Sequence, residues 1–321
     1  MQKIVVITAG GGVATRRGPG AGAAVPTIKG DDLASQLPRD IDLAFVEFSN
    51  VPGSHFTPAQ GLELARRVEA ALQPDEVGGV VVAHGADTLE ETAYLLDLVV
   101  AAEKPVVVTG AVRPPTAPGY DGLTNLASAI RVAAAPEART LGVLVVFAER
   151  IFAAAAVQSV HSQALQAFDA PGAGPLGRVE AGRVWIGQRP AQRQHIPCTR
   201  LEERVDLIAI GQGSDDRLLR RAVEDGAAGV VLEAFGGGRV PPWWLPTIRE
   251  AIAQRTAVAV APRCGAGPLY DEYGYVGAYH DLQQLGALFA HHLSGPKARI
   301  KLMVALGAAR RIEDVRAWFA A

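Results

Sequence analysis

The stretch Val80–Tyr94, VVVAHGADTLEETAY, decides the fold expected for this chain. A run of β-branched residues ends in the polar turn His84–Asp87, and an apolar-periodic segment follows the turn. This order predicts a strand, a tight turn and a helix. In an open parallel sheet, ligands bind beyond the carboxyl ends of the strands, beside the amino ends of the helices. We therefore expect Asp87 to lie at a ligand site.

Short apolar strands alternate with helical segments on both sides of this stretch. Further strands are predicted at Ile4–Thr8, Leu43–Phe48, Pro105–Thr109, Leu141–Phe147, Val205–Ile210, Gly229–Leu232 and Ala257–Ala261. Such alternation is typical of βαβ units with a parallel sheet. We predict an α/β protein with a larger, doubly wound parallel-sheet domain over residues 1–187 and a smaller C-terminal α/β domain over 205–321. The polar segment between them, residues 188–204, is predicted to be the linker.

The composition indicates a cytoplasmic protein that acts on a small molecule. A net charge of −2, with both signs interspersed, argues against a nucleic-acid or membrane partner. The two cysteines are far apart and match no metal spacing, so no metal is expected. The glycine turn Ala9–Thr15 lacks the G-x-G-x-x-G pattern of dinucleotide sites, and no cofactor is expected. Met1–Ile7 is predicted to be a strand and not a signal peptide, and no later segment is apolar enough to span a membrane.

Two segments carry helix-start signals. Thr57 with Pro58 and Gln60 predicts a capped helix that runs to about Leu72. The spacing of Thr88 and the glutamate three residues later also fits a capping box. A purely structural capping role for the second turn is therefore an alternative to ligand binding.

In several collinear blocks, the chain resembles the bacterial L-asparaginase/glutaminase family. The blocks are residues 8–14, 50–58, 84–93, 104–114, 233–238, 263–264 and 293–303. The resemblance implies the asparaginase-like two-domain fold. It also implies a homodimer or homotetramer in which each active site is shared between subunits, with the aromatic segment Tyr270–Tyr279 either lining the partner's pocket or buried in the interface.

The resemblance also implies that the reactive groups of the family are missing. Family members carry one threonine in a T-G-G-T-I-A turn and a second in an H-G-T-D-T turn. The matching positions here are Gly12 and Ala86, and the position of the lysine that supports the second threonine falls at Ser159. Hydrolysis through a threonine nucleophile is therefore not expected, because such catalytic groups act as a unit.

The residues that hold the substrate are retained. In the family, the serine matching Ser54 and the aspartate matching Asp87 bind the α-carboxylate and α-amino groups. His55 stands where many relatives have glutamine. The resemblance implies a substrate-binding set of Ser54, His55, Asp87, Gly11, Gly12, Gly85 and Ala86.

Three hypotheses for function remain open. The favoured one is a repurposed enzyme, with specialised metabolism as one setting, that acts on an amino-acid-like or carboxylate-bearing small molecule without a threonine acyl-enzyme. Asp87, His55 or Arg16, the last on a glycine-rich lid, would then carry proton transfer or charge stabilisation. The second hypothesis is a non-catalytic amino-acid-binding or regulatory protein. The third is residual L-asparaginase activity through another hydroxyl.

Few other residues are expected to be catalytic. Thr15 could act as a nucleophile only if the first turn shifted towards the site. A helix through Ser159, His161 and Ser162 would place the histidine on a different face from the serines, which argues against a catalytic cluster. His84, at the end of a strand, is expected to be packed and hydrogen-bonded.

Overall fold

The computed structural model describes residues 2–11, 13, 37–190, 193–270 and 272–320, together with the backbone of 15–17 and 24–26. The chain forms two compact units, Met1–His195 and Ile196–Ala321. Each unit has its own sheet and its own apolar core. The boundary lies within the segment that the sequence predicted as a linker.

The elements of the first unit have the following bounds. Its strands are β1 (Lys3–Thr8), β2 (Thr15–Arg17), β3 (Ala24–Pro26), β4 (Asp42–Glu47), β5 (Val77–Ala83), β6 (Val106–Thr109), β7 (Val143–Phe147), β8 (Arg150–Ala153), β9 (Gln158–Ser159), β10 (Phe168–Asp169), β11 (Gly177–Glu180) and β12 (Arg183–Ile186). Its α-helices are α1 (Pro58–Leu72), α2 (Leu89–Val99) and α3 (Gly122–Ala134). Short 3₁₀ turns lie at Gly53–His55, Ala86–Thr88 and Pro136–Ala138.

The main sheet has the order β12-β11-β8-β7-β6-β5-β1-β4. Strands β4, β1, β5, β6 and β7 are parallel, which confirms the predicted α/β architecture. Every residue of β5 is buried, as expected for a central strand covered on both faces. Strands β8, β11 and β12 extend the sheet in the antiparallel sense and were not predicted. The sheet is therefore mixed.

The turn between β7 and β8 explains this omission. Ala148 and Glu149 have φ angles of 48° and 60°, so this two-residue hairpin turn uses left-handed backbone at both positions. Asn-Gly or Asp-Gly is the usual signal for such a turn, and Ala-Glu carries no such signal.

Helix α1 begins as predicted. The Thr57 hydroxyl accepts a hydrogen bond from the Gln60 backbone N–H at 3.2 Å, and the Gln60 Oε1 accepts one from the Thr57 N–H at 2.9 Å. This reciprocal pair satisfies two donors that the first helical turn leaves without partners. It fixes the end of the loop that leads from β4 into α1.

The second unit contains a parallel sheet of order β13-β14-β15-β16. Its elements are β13 (Val205–Ala209), α4 (Arg217–Glu224), β14 (Gly229–Ala234), a 3₁₀ turn (Pro242–Trp244), α5 (Leu245–Ala253), β15 (Ala257–Pro262), α6 (Tyr279–Leu285), β16 (Leu288–Phe289), α7 (Gly295–Ala308) and α8 (Ile312–Ala320). The three predicted strands are present. The fourth, β16, has two residues and is too short to give a periodic signal.

Candidate functional site

Three loops meet beyond the carboxyl ends of the adjacent parallel strands β4, β1 and β5. The backbones of these three loops contact one another at glycine residues. A Cβ on Gly11, where φ is 75°, would lie 2.3 Å from the Cα of Gly85, and a Cβ on Gly85 would lie 2.5 Å from the Cα of Gly53. Side chains at these positions would force the loops apart, so the glycines allow backbone to pack against backbone.

The contact between two of these loops places Asp87. The backbone N–H of Ser54 donates to Oδ2 of Asp87 at 3.0 Å, and the Thr88 hydroxyl donates to the carbonyl of Gly53 at 2.8 Å. The predicted capping box at Thr88 is wrong, because that side chain makes no cap to helix α2. Its hydroxyl instead ties the turn after β5 to the turn after β4, and the Asp87 side chain is exposed at this junction.

A cavity of about 530 Å³ lies at this junction, within the first unit. This volume is in the range of small-molecule sites. Of the residues predicted from sequence to bind or react, four line it: Gly11, Gly85, Ala86 and Asp87. The other described residues that line it are Pro52, Gly53, Ala111, Val112, Pro114, Ser159, His161, Ser162, Gln163, Ala167 and Phe168.

The remaining predicted site residues have different positions. Ser54 lies beside the cavity and contributes its backbone N–H to Asp87. His55 is exposed in the same 3₁₀ turn but does not line the cavity. Gly12 and the side chains of Thr15 and Arg16 lie outside the described residues.

The resemblance placed Ser159 at the family's lysine position, but His161, Ser162 and Gln163 were not predicted as part of the site. The helix considered for it is wrong, because strand β9 ends at Ser159 and the chain then turns. Ser159, His161 and Ser162 therefore line the same cavity. The resemblance at Ser159 and the residue types were the sequence signals, and the assumed helical spacing separated the histidine from the two serines.

The hydrogen bonds of His161 define its chemical role. Its Nδ1 accepts hydrogen bonds from the backbone N–H groups of Gln163 and Ala164, both at 3.0 Å. A nitrogen that accepts carries no proton, so the neutral ring has its proton on Nε2. His161 can donate a hydrogen bond from Nε2, whereas its Nδ1 is already occupied and cannot activate a neighbouring serine.

The wall formed by Ala111, Val112 and Pro114 is fixed by Asp121, the residue before helix α3. The Asp121 carboxylate accepts hydrogen bonds from the backbone N–H groups of Val112 at 3.1 Å and Arg113 at 2.9 Å. These bonds make the loop after β6 a defined part of the cavity.

His84 is a buried structural residue, as expected. Its Nδ1 lies 2.9 Å from the carbonyl of Gly85, which can only accept, so Nδ1 carries the proton. Its Nε2 lies 3.2 Å from the Thr92 hydroxyl, and the ring packs edge-on against Phe56. Burial lowers the pKa of His84 to about 4, although the Gly85 hydrogen bond and the charge of Asp87 oppose the shift. The ring therefore stays neutral at pH 7 and supports the turn that carries Asp87.

This pKa predicts a pH-dependent stability. The unfolded chain takes up the His84 proton near pH 6.5 and the folded chain near pH 4, so the protein should lose stability as pH falls between these values. The full loss amounts to about 3 kcal/mol. Urea unfolding at intervals from pH 7 to 4.5 measures it.

The variant His84→Gln is the control, because glutamine can bond both neighbours but does not titrate in this range. The free energy of unfolding should fall less steeply with pH in this variant than in the wild type. Equal slopes for the two proteins would contradict the assignment.

The described residues contain neither a candidate metal site nor a candidate membrane-spanning helix. They contain no group of three or more His, Cys, Asp or Glu side chains that could hold a metal ion. No helix among them has both the length and the apolar character needed to cross a membrane.

Comparisons with known proteins cover both units. Residues 3–192 match the family model described as "Asparaginase, N-terminal", and residues 204–319 match the "Glutaminase/Asparaginase C-terminal domain". An L-asparaginase from Bacillus licheniformis is 37% identical over 307 residues, 95% of each chain. A glutaminase-asparaginase from Pseudomonas aeruginosa is 31% identical over 320 residues, which cover 95% of this chain and 86% of that protein.

The three-dimensional comparison agrees with these matches. The crystal structure of a probable cytoplasmic L-asparaginase from Campylobacter jejuni superposes with a TM-score of 0.90 at 28% sequence identity. The superposition covers 100% of this chain and 99% of that one.

Proposed function

The chain belongs to the asparaginase family, and from this premise we propose that it is an amidohydrolase whose substrate is a small molecule with an amino-acid headgroup. The observation that carries the proposal is the Asp87 carboxylate, held by the Ser54 N–H at 3.0 Å on the wall of the 530 Å³ cavity. The relatives named above match nearly the whole chain and are named as asparaginases or glutaminase-asparaginases. They support the family's amide hydrolysis over the distinct, repurposed reaction favoured from sequence.

The headgroup would be bound from two adjacent turns. Asp87 would present its carboxylate to a ligand ammonium group. The hydrogen bond from the Ser54 N–H holds Oδ2, which leaves Oδ1 for the ligand. The hydroxyl of Ser54, which is exposed, is the proposed donor to the ligand carboxylate. Because Ala86 and the neighbouring glycines have small side chains or none, the reacting end of the ligand has room beside them.

The reaction would use water in place of a threonine hydroxyl. Glycine at position 12 and alanine at position 86 offer no side-chain nucleophile. Asp87 is the only carboxylate among the described lining residues, and we assign it as the base that takes a proton from the attacking water. His161, through its Nε2–H, would donate a hydrogen bond to the carbonyl oxygen, and the proton taken up by Asp87 would pass to the departing ammonia. A carboxylate that also binds an ammonium group is a weak base, so we expect slow turnover.

Ammonia release from L-asparagine and L-glutamine tests the activity, with a no-enzyme blank. The water route predicts that the double variant Ser159→Ala/Ser162→Ala keeps kcat within about threefold of wild type, because neither serine is a nucleophile. It also predicts no acyl adduct in the intact mass of acid-quenched enzyme. Loss of activity in that variant, together with an acyl adduct in the wild type, would show that the nucleophile is a serine and not water. No ammonia at high enzyme concentration would refute the amidohydrolase assignment.

A non-catalytic amino-acid-binding protein is the second candidate. It is favoured by the absence of a threonine at positions 12 and 86 and by Thr88, whose hydroxyl donates to backbone. A binder gains thermal stability with ligand by mass action and forms no product. A rise in Tm with L-aspartate and with L-asparagine, without ammonia from the latter, would identify it.

We also propose a cytoplasmic homodimer or homotetramer. The side chains of Tyr270, Tyr273 and Tyr275 are each at least half exposed, and an apolar surface of this kind is typical of interfaces. Size-exclusion chromatography with light scattering measures the state, and a monomer at micromolar concentration would contradict the proposal.

A further inference from the structure

A second cavity, of about 480 Å³, lies within the second unit. It is formed by the end of helix α5, the amino end of strand β15, strand β16 and the start of helix α8. In a parallel sheet, this edge is opposite to the carboxyl ends at which ligands usually bind. The function proposed above makes no use of it.

Four arginines line this cavity: Arg255, Arg310, Arg311 and Arg316. No Asp or Glu is among the described lining residues. Arg311 is paired with Asp314 at 3.8 Å, and in the described part of the chain the other three form no ion pair. The side chains of the four are exposed, which leaves their guanidinium groups able to turn towards a ligand.

Apart from Thr256, the rest of the lining is apolar. Ile252, Val258, Leu288 and Ile312 supply aliphatic surface beside the arginines. An arrangement of apolar walls with a few converging charged groups is typical of small-molecule sites, and the volume lies within their range.

Backbone conformation is unusual at or beside two of the four arginines, Arg316 and Arg255. Gly286, where φ is 90°, ends helix α6, and a Cβ there would lie 2.9 Å from Nη2 of Arg316. The missing side chain makes room for that guanidinium group. Arg255 has a φ of 67°, a backbone region that favours glycine, yet a long cationic side chain occupies the position.

The amino end of helix α8 is not the anion-binding element. The Asp314 carboxylate accepts hydrogen bonds from the backbone N–H groups of Arg310 and Arg311, both at 3.0 Å. These donors are already satisfied, so an anion in the cavity would depend on guanidinium groups.

We propose that this cavity binds a small organic anion that carries at least two carboxylate or phosphate groups. Guanidinium groups donate pairs of parallel hydrogen bonds that match the oxygens of either group. Two anionic groups are required because at least three cationic side chains converge on one cavity, and a single carboxylate would leave most of them unneutralised. The aliphatic wall would contact the carbon skeleton of the ligand.

Isothermal titration calorimetry with citrate and with pyrophosphate tests the proposal on the full-length protein, with sodium chloride added to matched ionic strength. We expect saturable binding of one or both probes at one site per chain. Binding of citrate alone would identify a polycarboxylate site, and binding of pyrophosphate alone a phosphate site. Binding of neither would overturn the proposal.

Variants locate the site. Arg310→Gln/Arg316→Gln and the single variant Arg255→Gln should each weaken binding at least about tenfold. Arg249→Gln is the matched control, because that residue is exposed on the same helix as Ile252 but does not line the cavity. Circular dichroism and the Tm of each variant verify folding. Because Arg255 is exposed, its single variant stays informative if the double variant fails to fold.

The variant Ser54→Ala separates this proposal from the function proposed for the first unit, because the Ser54 hydroxyl is the donor proposed there for a ligand carboxylate. Citrate or pyrophosphate binding should be unchanged in it. If binding were lost with Ser54→Ala and retained in the arginine variants, the anion would be in the first cavity, and the inference would be wrong.

Discussion

Replacing Asp87 by asparagine is expected to weaken the binding of L-aspartate by at least about 100-fold, because a charge-assisted contact with the ligand ammonium group is lost. Asparagine keeps a carbonyl oxygen that can accept the Ser54 N–H, so the turn should keep its shape. Isothermal titration calorimetry gives the affinities, and an unchanged Tm would show that the fold is intact.

Succinate provides the ligand control for this prediction, since it has the two carboxylates of L-aspartate but no amino group. Its affinity for the wild type should be low, and its affinity for Asp87→Asn should be nearly the same. Ser54→Ala removes a hydroxyl but keeps the backbone N–H that fixes Asp87, and we expect about a tenfold loss for L-aspartate. Wild-type affinity of Asp87→Asn for L-aspartate would contradict the assigned role.

The parts of the fold that could be predicted from sequence are those encoded locally. The run ending at Ala83 consists of residues suited to a buried strand, and the signal at Thr57–Gln60 needs only four residues to define a helix start. The position of Asp87 beyond the end of β5 follows from the same local pattern. The parallel pairing of the strands in this part of the sheet follows from the alternation of strands and helices, whereas their order, with β1 between β4 and β5, was not predicted.

The parts that could not be predicted depend on contacts between distant residues. Thr88 fits a capping box, yet a carbonyl 35 residues earlier, in Gly53, takes its hydroxyl. The hairpin at Ala148–Glu149 is held in left-handed backbone by the strands on either side, which override the preference of its residues. Neither the Gly53 carbonyl nor the pairing of the flanking strands can be inferred from the few residues on either side of Thr88 or of the hairpin turn.

The cavity shows the same division. The side that carries Asp87 is built from Gly11, Gly53 and Gly85, whose need for close backbone contact makes them recognisable as turn residues. Its opposite side comes from Ser159 to Gln163, more than 70 residues further along the chain, where no periodic pattern was available. The glycine turns that line the cavity were therefore easier to predict than the polar segment that lines it from a distant part of the chain.

Restoring the reactive groups that the family resemblance assigns is expected to give the largest gain in activity. The triple variant Gly12→Thr/Ala86→Thr/Ser159→Lys should raise L-asparagine hydrolysis by at least about 1000-fold over wild type. Ala86 and Ser159 line the cavity, and neither has a positive φ that would resist a larger side chain. Ammonia release at saturating L-asparagine measures kcat, and acid-quenched intact mass should then reveal an acyl adduct.

Single replacements test whether these groups act together. Gly12→Thr alone supplies a hydroxyl without the support of the other two positions, and it should recover only a small part of the gain, because catalytic groups that act as a unit are far from additive. Adding Asp87→Asn to the triple variant should abolish the gain through loss of headgroup binding. If the triple variant binds L-aspartate normally and still hydrolyses L-asparagine no faster than wild type, then headgroup binding and family-like chemistry are separable in this cavity, and its reacting end is built for another group.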